Sequence, residues 1–427
     1  MSEWQTIKFE ELLDYIGNGT SDLQVSEITA YPVTRIETIS DGVVNYKKVG
    51  YVRHCSEKYK LRNGDILLSN INSIKHIGKV AFYNSNAELF HGMNLLLLRF
   101  KSNVEPLYIY YTLVFHKRWF ERMACQAINQ ASINQTTIEN LHLNIASIKT
   151  EQRKIVRILS TCDAVIEKTQ AAIEKYKAIK QGMLHDLFTR GIDVTTGKLR
   201  PQYENAPELY KESKLGMVPM EWEVETFEET TLKIADRDHF TPIYVDAGVA
   251  IISPKDFDEN EEISFSECKY ITYEAHLKNA EKTDLKTGDL IFTRIGALLG
   301  KVCMVEGWMP EFSILHSACM IRVNPKIMDE MFYLQFIKSY FFQNQIKMEI
   351  QSIGVPDLGL DKIKAFLMLR PSPKEQKAIG EKLAVIDCSI KNEKNIFIKL
   401  QQIKSGLMND LLSGKKRVKL PEEALAV

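Results

Sequence analysis

At 427 residues the chain is too long for one hydrophobic core and suits two or three domains. With 45% hydrophobic and 26% charged residues it reads as soluble and globular, and no apolar run approaches the roughly 20 residues that span a bilayer. The acidic start MSEWQTIKFEELLDYIG lacks the basic-then-apolar pattern of a signal peptide, so a cytoplasmic protein without a membrane segment is expected.

Seven cysteines, at 55, 125, 162, 268, 303, 319 and 388, form no C-x-x-C pair, and the nine histidines show no ligand spacing. Neither a disulfide framework nor a metal site is expected, and no cofactor. Net charge is zero but uneven. Residues 1–150 carry 16 Lys+Arg against 14 Asp+Glu, whereas residues 217–373 carry 16 against 25, a balance of −9. A nucleic-acid contact in that second region would need a local basic face.

In chain order, the turn Asn63-Gly64-Asp65 leads into a predicted strand at Ile66–Ser69, and further strands are predicted at 78–83 and 94–100. The aromatic-rich stretch Pro106–Met123 predicts one helix with proline in its first turn. A polar segment, 126–137, precedes the stretch Glu151–Leu187. There Ile155, Leu159, Cys162, Ile166, Thr169, Ile173, Tyr176 and Ile179 recur in alternating steps of four and three, the seam of a coiled coil. Its 37 residues would span roughly 55 Å.

The partner for that seam is in the same chain. Adding 224 to each position gives Glu375–Leu411 without a gap, with Glu151/Glu375, Gln152/Gln376, Asp163/Asp387, Lys180/Lys404 and Gly182/Gly406 identical. The second seam is Ile379, Leu383, Ile386, Ile390, Leu400 and Ile403. Hydrophobic periodicity alone would not repeat Glu-Gln, Asp and Lys-x-Gly at one offset, so the unit is duplicated. The duplication extends outward: Gly288-Asp289 repeats Gly64-Asp65, Gly300-Lys301-Val302 repeats Gly78-Lys79-Val80, the aromatic stretch 332–348 echoes the first, and Trp4 and Trp222 open the two copies. The segments 19–60 and 237–282 share almost nothing, as expected of two readers of different targets.

The expected fold is α+β: two α/β domains in tandem (1–150 and 217–373), separated by two long helices (151–190 and 374–414) that pair as an antiparallel coiled coil. A polar linker (191–216) and a basic, flexible tail (415–427) complete the chain. Two equal units sharing one seam favour a pseudo-two-fold, hence antiparallel, pairing.

This arrangement resembles the specificity subunit of type I restriction-modification systems. The motifs that carry the resemblance are Glu151-Gln152 and Glu375-Gln376, Lys180-x-Gly182 and Lys404-x-Gly406, Gly64-Asp65 and Gly288-Asp289, and the stretch Lys214 to Trp222 entering the second domain. The usual proline pair before the first Glu-Gln is replaced by Ile148-Lys149-Thr150. The resemblance implies a non-catalytic reader of double-stranded DNA. It would assemble with two methyltransferase subunits, and with restriction/translocase subunits in the full complex, on a bipartite asymmetric site.

Bases are read by polar side chains on exposed loops and phosphates are held by cations. The candidates for DNA contact are Ser69, Asn70, Asn72, Lys75, His76 and Lys79, then Asn129, Gln130, Asn134 and Gln135, and in the second domain Thr293, Arg294, Lys301, His316 and Ser317. Arg294 stands out as one of four arginines in an acidic domain. The aromatic stretches are expected to be core. No G-x-G-x-x-G or Walker lysine loop is present, and an acid-x-Lys triplet at Glu267-Cys268-Lys269, downstream of Asp256 and Asp258, is expected by chance. Two alternatives stay open: a duplicated coiled-coil scaffold with peptide- or protein-binding domains, and the specificity subunit of a related Type II system.

Overall fold

The computed structural model describes residues 4–39, 42–127, 130–238, 241–258, 260–350 and 356–419. Its contacts fall into two units, residues 1–170 with 395–427 and residues 171–394. Each long helix gives one half to each unit.

In unit 1 an edge pair, Trp4–Lys8 with His142–Ala146, precedes the long helix. A four-stranded antiparallel sheet runs in the order Leu13–Asn18, Leu96–Phe100, Ile66–Leu68, Val80–Phe82. The strand Ile66–Leu68 is apolar at every position because both faces are covered. Ile66 and Leu68 join the main core with Tyr108, Ile109 and Phe120, while Leu67 joins Leu95, Leu97 and Tyr83 on the other side. The divergent segment builds a small sheet of its own, Gln24–Val25, Gly50–Val52 and Tyr31–Val33.

Unit 2 repeats the framework. Glu223–Thr226 pairs with Leu367–Arg370, and the four-stranded order is Thr231–Ala235, Ala318–Val323, Leu290–Thr293, Val302–Met304. Its divergent sheet differs, because Val249–Ile252 runs parallel to Phe312–Ile314 and antiparallel to Lys269–Ile271.

The repeated Gly-Asp turn has a structural cause in both units. Gly64 and Gly288 hold φ of +95° and +93°, where a side chain would be strained. Asp65 then takes a two-pronged contact from Arg99 Nε and Nη2 at 2.8 and 2.7 Å, and Asp289 takes the same from Arg322 at 2.8 and 2.8 Å.

The long helices run Lys149–Thr189 and Pro373–Leu412, beginning one or two residues before the expected spans 151–190 and 374–414 and ending one or two before their ends. In unit 1 Ile155 and Leu159 share a core with Met408, Leu411 and Leu412. In unit 2 Leu184, Leu187 and Phe188 share one with Ile379 and Leu383. Of the other expected seam residues, Ile173 and Ile386 are buried and Ile166, Ile390 and Leu400 are half-buried. Ile179 and Ile403 need correction: they are 40% and 53% exposed and do not close the seam.

Two further expectations change. The stretch Pro106–Met123 is two helices, Pro106–Phe115 and Lys117–Met123, broken at His116, whose ring contacts the Thr112 carbonyl at 2.8 Å. Residues 191–216 are no plain linker: they form the hairpins Ile192–Asp193 with Lys198–Leu199 and Tyr210–Ser213 with Gly216–Pro219.

Candidate nucleic-acid interface

The two candidate segments of unit 1, distant in sequence, meet in space. Ala131 and Ser132 pair with Asn72 and Ile71, and Ile133 N donates to the Asn70 carbonyl at 2.9 Å. The loop 69–79 is closed at its neck by Ser69 N to Lys79 O, 2.8 Å, and Gly78 N to Ser69 O, 2.9 Å. Unit 2 has the same neck: Thr293 N donates to Lys301 O at 2.9 Å and Gly300 N to Thr293 O at 2.9 Å. Asp357 forms a single antiparallel bridge with Ile295, and Leu358 N donates to the Arg294 carbonyl at 3.0 Å.

Several predicted contact residues therefore turn out to be framework. Ser69, Asn70, Thr293 and Arg294 are buried, because they sit at the necks rather than at the loop tips. Arg294 donates to Asp236 at 2.7 Å, to Asp357 at 2.8 Å and to the Leu358 carbonyl at 3.1 Å. A guanidinium tied down on three sides and out of water is not placed to reach a base edge. Asn134 caps the short helix Gln135–Glu139 through Thr137 N at 2.7 Å, and Gln135 donates to Glu139. Asn129 lies outside the described residues, and Gln130 supplies backbone to the strand Gln130–Ser132. His316 and Ser317 are half-buried, and Ser317 O accepts from Arg294 N at 2.9 Å.

Solvent is left to the loop tips. In unit 1 Ser73, Ile74 and Lys75 are exposed, with Asn72, His76 and Lys79 half-buried behind them. Desolvation, followed by the positive charges of Lys79, Lys75 and Lys117, lowers the proton affinity of His76. In unit 2 Lys301 Nζ is turned to the Asp258 carbonyl at 3.2 Å. Asp258 belongs to an acidic strap whose Glu261 pairs with Lys338 at 3.2 Å and whose Glu262 pairs with Lys391 at 2.8 Å. Of these two lysines only Lys391 lies outside residues 217–373, so it alone offsets the negative excess counted there. The acids noted near Glu267-Cys268-Lys269 build turns: Asp256 accepts from Ser253, and Asp258 from the amides of Asn260 and Glu262. Among the described residues no three His, Cys, Asp or Glu side chains are grouped to hold a metal.

The duplicated helix motifs also receive physical partners. Asp163 accepts from Tyr111 Oη at 2.7 Å and pairs with Lys404 at 2.5 Å. Asp387 accepts from Gln335 Nε2 at 2.8 Å and pairs with Lys180 at 2.6 Å. Gln335 is the repeat counterpart of Tyr111, 224 residues on. Glu375 accepts from Arg200 at 2.5 and 3.1 Å, from Trp222 Nε1 at 3.1 Å and from Ile192 N at 2.7 Å. In unit 1 Glu151 accepts from Arg417 Nε and Nη2 at 2.7 and 2.8 Å.

Arg200 and Arg417 were not foreseen. The signal for them is a second repeat, Gly197-Lys198-x-Arg200 and Gly414-Lys415-x-Arg417, at an offset of 217 that differs from the helical one. Within the expected tail, Arg417 is anchored to buried Glu151.

Comparison with known proteins matches this double framework to a known family. The family of the type I restriction modification DNA specificity domain matches residues 1–175 and 243–402. The chain belongs to the type I restriction-modification specificity subunits. This specificity subunit is 32% identical to a putative type I restriction enzyme MjaX specificity subunit of Methanocaldococcus jannaschii, over 98% of this chain and 94% of that one. It is 23% identical to the MjaVIII specificity subunit of the same organism, with the same coverage. Among solved structures it is similar to the type I system S subunit from M. genitalium, with a TM-score of 0.59 and 15% identity over 98% and 97% of the two chains. A structure described as a basis for complex assembly and conformational transition of the type I system matches with a TM-score of 0.56 and 11% identity. As a specificity subunit it carries two tandem recognition domains, and no described helix is long and apolar enough to cross a membrane.

Proposed function

We propose that each recognition domain of this specificity subunit reads one half of a bipartite, asymmetric DNA site, without catalysis of its own, in the cytoplasm. The domains are residues 1–150 and 217–373, and the helices 151–190 and 374–414 pair as an antiparallel coiled coil that sets the distance between the half-sites. The observation that carries this reading is the loop pair built twice on one framework with different linings. The neck bonds of Ser69 and Thr293 repeat, whereas the tips Ser73-Ile74-Lys75 and Gly296-Ala297-Leu298 do not. DNA contact is assigned to the tips, with Asn72, His76 and Lys79 beside the first domain's Lys75.

Two methyltransferase subunits dock on the outer faces of the spacer helices, and restriction/translocase subunits join in the full complex. Gly182 and Gly406 support this. A glycine inside a helix costs about 1 kcal/mol relative to alanine, yet an added Cβ at either position would meet nothing within 4 Å. Ile179 and Ile403, three residues earlier, are left exposed. A repeated gap beside a repeated aliphatic side chain suits the close approach of another chain's helix.

Sequencing methylated sites in cells that carry this subunit with its methyltransferase tests the reading. Two short specified blocks separated by an unspecified gap are expected, and a single continuous motif would overturn it. Inserting one helical repeat between 160 and 180 is expected to lengthen the gap.

A further inference from the structure

The two loops are backed by helices of different electrostatic character, one basic and one without net charge. In unit 1 Gly78 holds a φ of +72°, and a Cβ there would lie 2.5 Å from Phe120 Cβ, so the loop presses against the helix Lys117–Met123. This approach brings Lys117 Nζ to within 3.3 Å of the Lys75 carbonyl. Lys75, Lys79 and Lys117 thus gather around His76. Glu121 pairs with Lys117 at 3.0 Å, and the same helix adds exposed Arg118 and Arg122.

Unit 2 has the same construction with other residues. Gly300 has a φ of +93° and its Cβ position lies 3.2 Å from Ile346 Cδ1, so the loop again rests on a helix, Tyr340–Glu349. That helix opens with Tyr340-Phe341-Phe342 and carries one lysine and one glutamate. The loop itself, Ile295-Gly296-Ala297-Leu298-Leu299-Gly300, has no charged side chain, and Lys301 behind it is turned to Asp258.

We propose that Lys75, Lys79 and Lys117 of the first recognition domain bind phosphates of the DNA backbone, and that the corresponding loop of the second domain makes no such contact. The proposal rests on the DNA-reading function given above and divides the labour within it. The first domain supplies salt-dependent, sequence-independent grip, and the second contributes chiefly through shape and apolar contact with base edges such as the thymine methyl.

The test uses the full subunit assembled with its methyltransferase, with binding to a random duplex measured across a salt series. Each lost phosphate contact lowers the magnitude of the log K against log salt slope by about 0.9. Replacing Lys75, Lys79 and Lys117 by Gln together is expected to lower the slope by about 2 to 3, and K301Q is expected to leave it unchanged. K117R is expected to keep the wild-type slope, because the charge remains. An unchanged slope in the triple variant, or an equal drop in K301Q, would overturn the proposal. A wild-type complex with no affinity for any duplex would instead overturn the recognition function on which it stands.

Discussion

Asp163 and Lys404 meet at 2.5 Å in unit 1, and their duplicates Asp387 and Lys180 meet at 2.6 Å in unit 2. Burial pulls the Lys180 ammonium toward neutrality while Asp387 opposes it. Removing Asp387 strands a buried cation, so D387N is expected to destabilise unit 2 by about 2 kcal/mol. Replacing both partners, Lys180→Met with Asp387→Leu, is expected to cost less than the sum of the single changes. Urea unfolding of the four proteins in a double-mutant cycle measures this coupling, and strict additivity would argue against the pair.

The Glu–Arg contacts lend the segments after each helix a structural task. Glu151 is 1% exposed and Arg417 reaches it from beyond the end of the second helix. Arg417→Ala is expected to lower the stability of unit 1 by about 3 kcal/mol, with E151Q largely offsetting the loss. Hydrogen exchange read separately on residues 4–146 and 217–370 checks it, since only the first group should lose protection.

His91 predicts an acid-sensitive first domain. Burial pushes its imidazole down to about 4, with Nε2 3.2 Å from the Gly17 carbonyl. The unfolded chain binds this proton near pH 6.5 and the folded chain only near 4. Its contribution is therefore fully present above about pH 6.5 and is lost as pH falls toward 4, by about 3 kcal/mol. Chemical denaturation between pH 7 and 4 should give a steeper fall for wild type than for H91Q. Parallel curves would exclude His91 as the source.

Gly182 and Gly406 separate folding from assembly. Gly182→Ala or Gly406→Ala should stabilise the isolated subunit by up to about 1 kcal/mol, because both positions are helical and open. Gly182→Trp should leave folding intact while weakening capture of the methyltransferase. Thermal denaturation and size-exclusion of the mixed subunits supply the two readouts, and undisturbed assembly by the tryptophan variant would remove these faces from the docking surface.

Much of this was open to inspection in the linear chain. The 224-residue repeat set out the duplicated framework, since Asp65, Glu151, Asp163 and their copies recur at one spacing. Their partners were harder to see, because Arg99/Arg322 and Arg200/Arg417 recur at 223 and 217. Insertions and deletions in loops shift such offsets while leaving the contacts in place.

The candidate interface was the least legible part. Polarity singled out Ser69, Asn70, Thr293 and Arg294, yet the neck bonds and buried ion pairs consume them. Lys117 carries no signal in the sequence because it sits in an aromatic stretch, and only the packing of Gly78 on Phe120 carries it to the loop.

By itself the sequence determined the two readers, the two long helices and the family, because repetition and periodicity are properties of order along the chain. Which polar groups face solvent was decided only by the tertiary structure. A side chain's exposure depends on what the fold lays against it, and for Asn70 and Arg294 that includes residues 63 positions away.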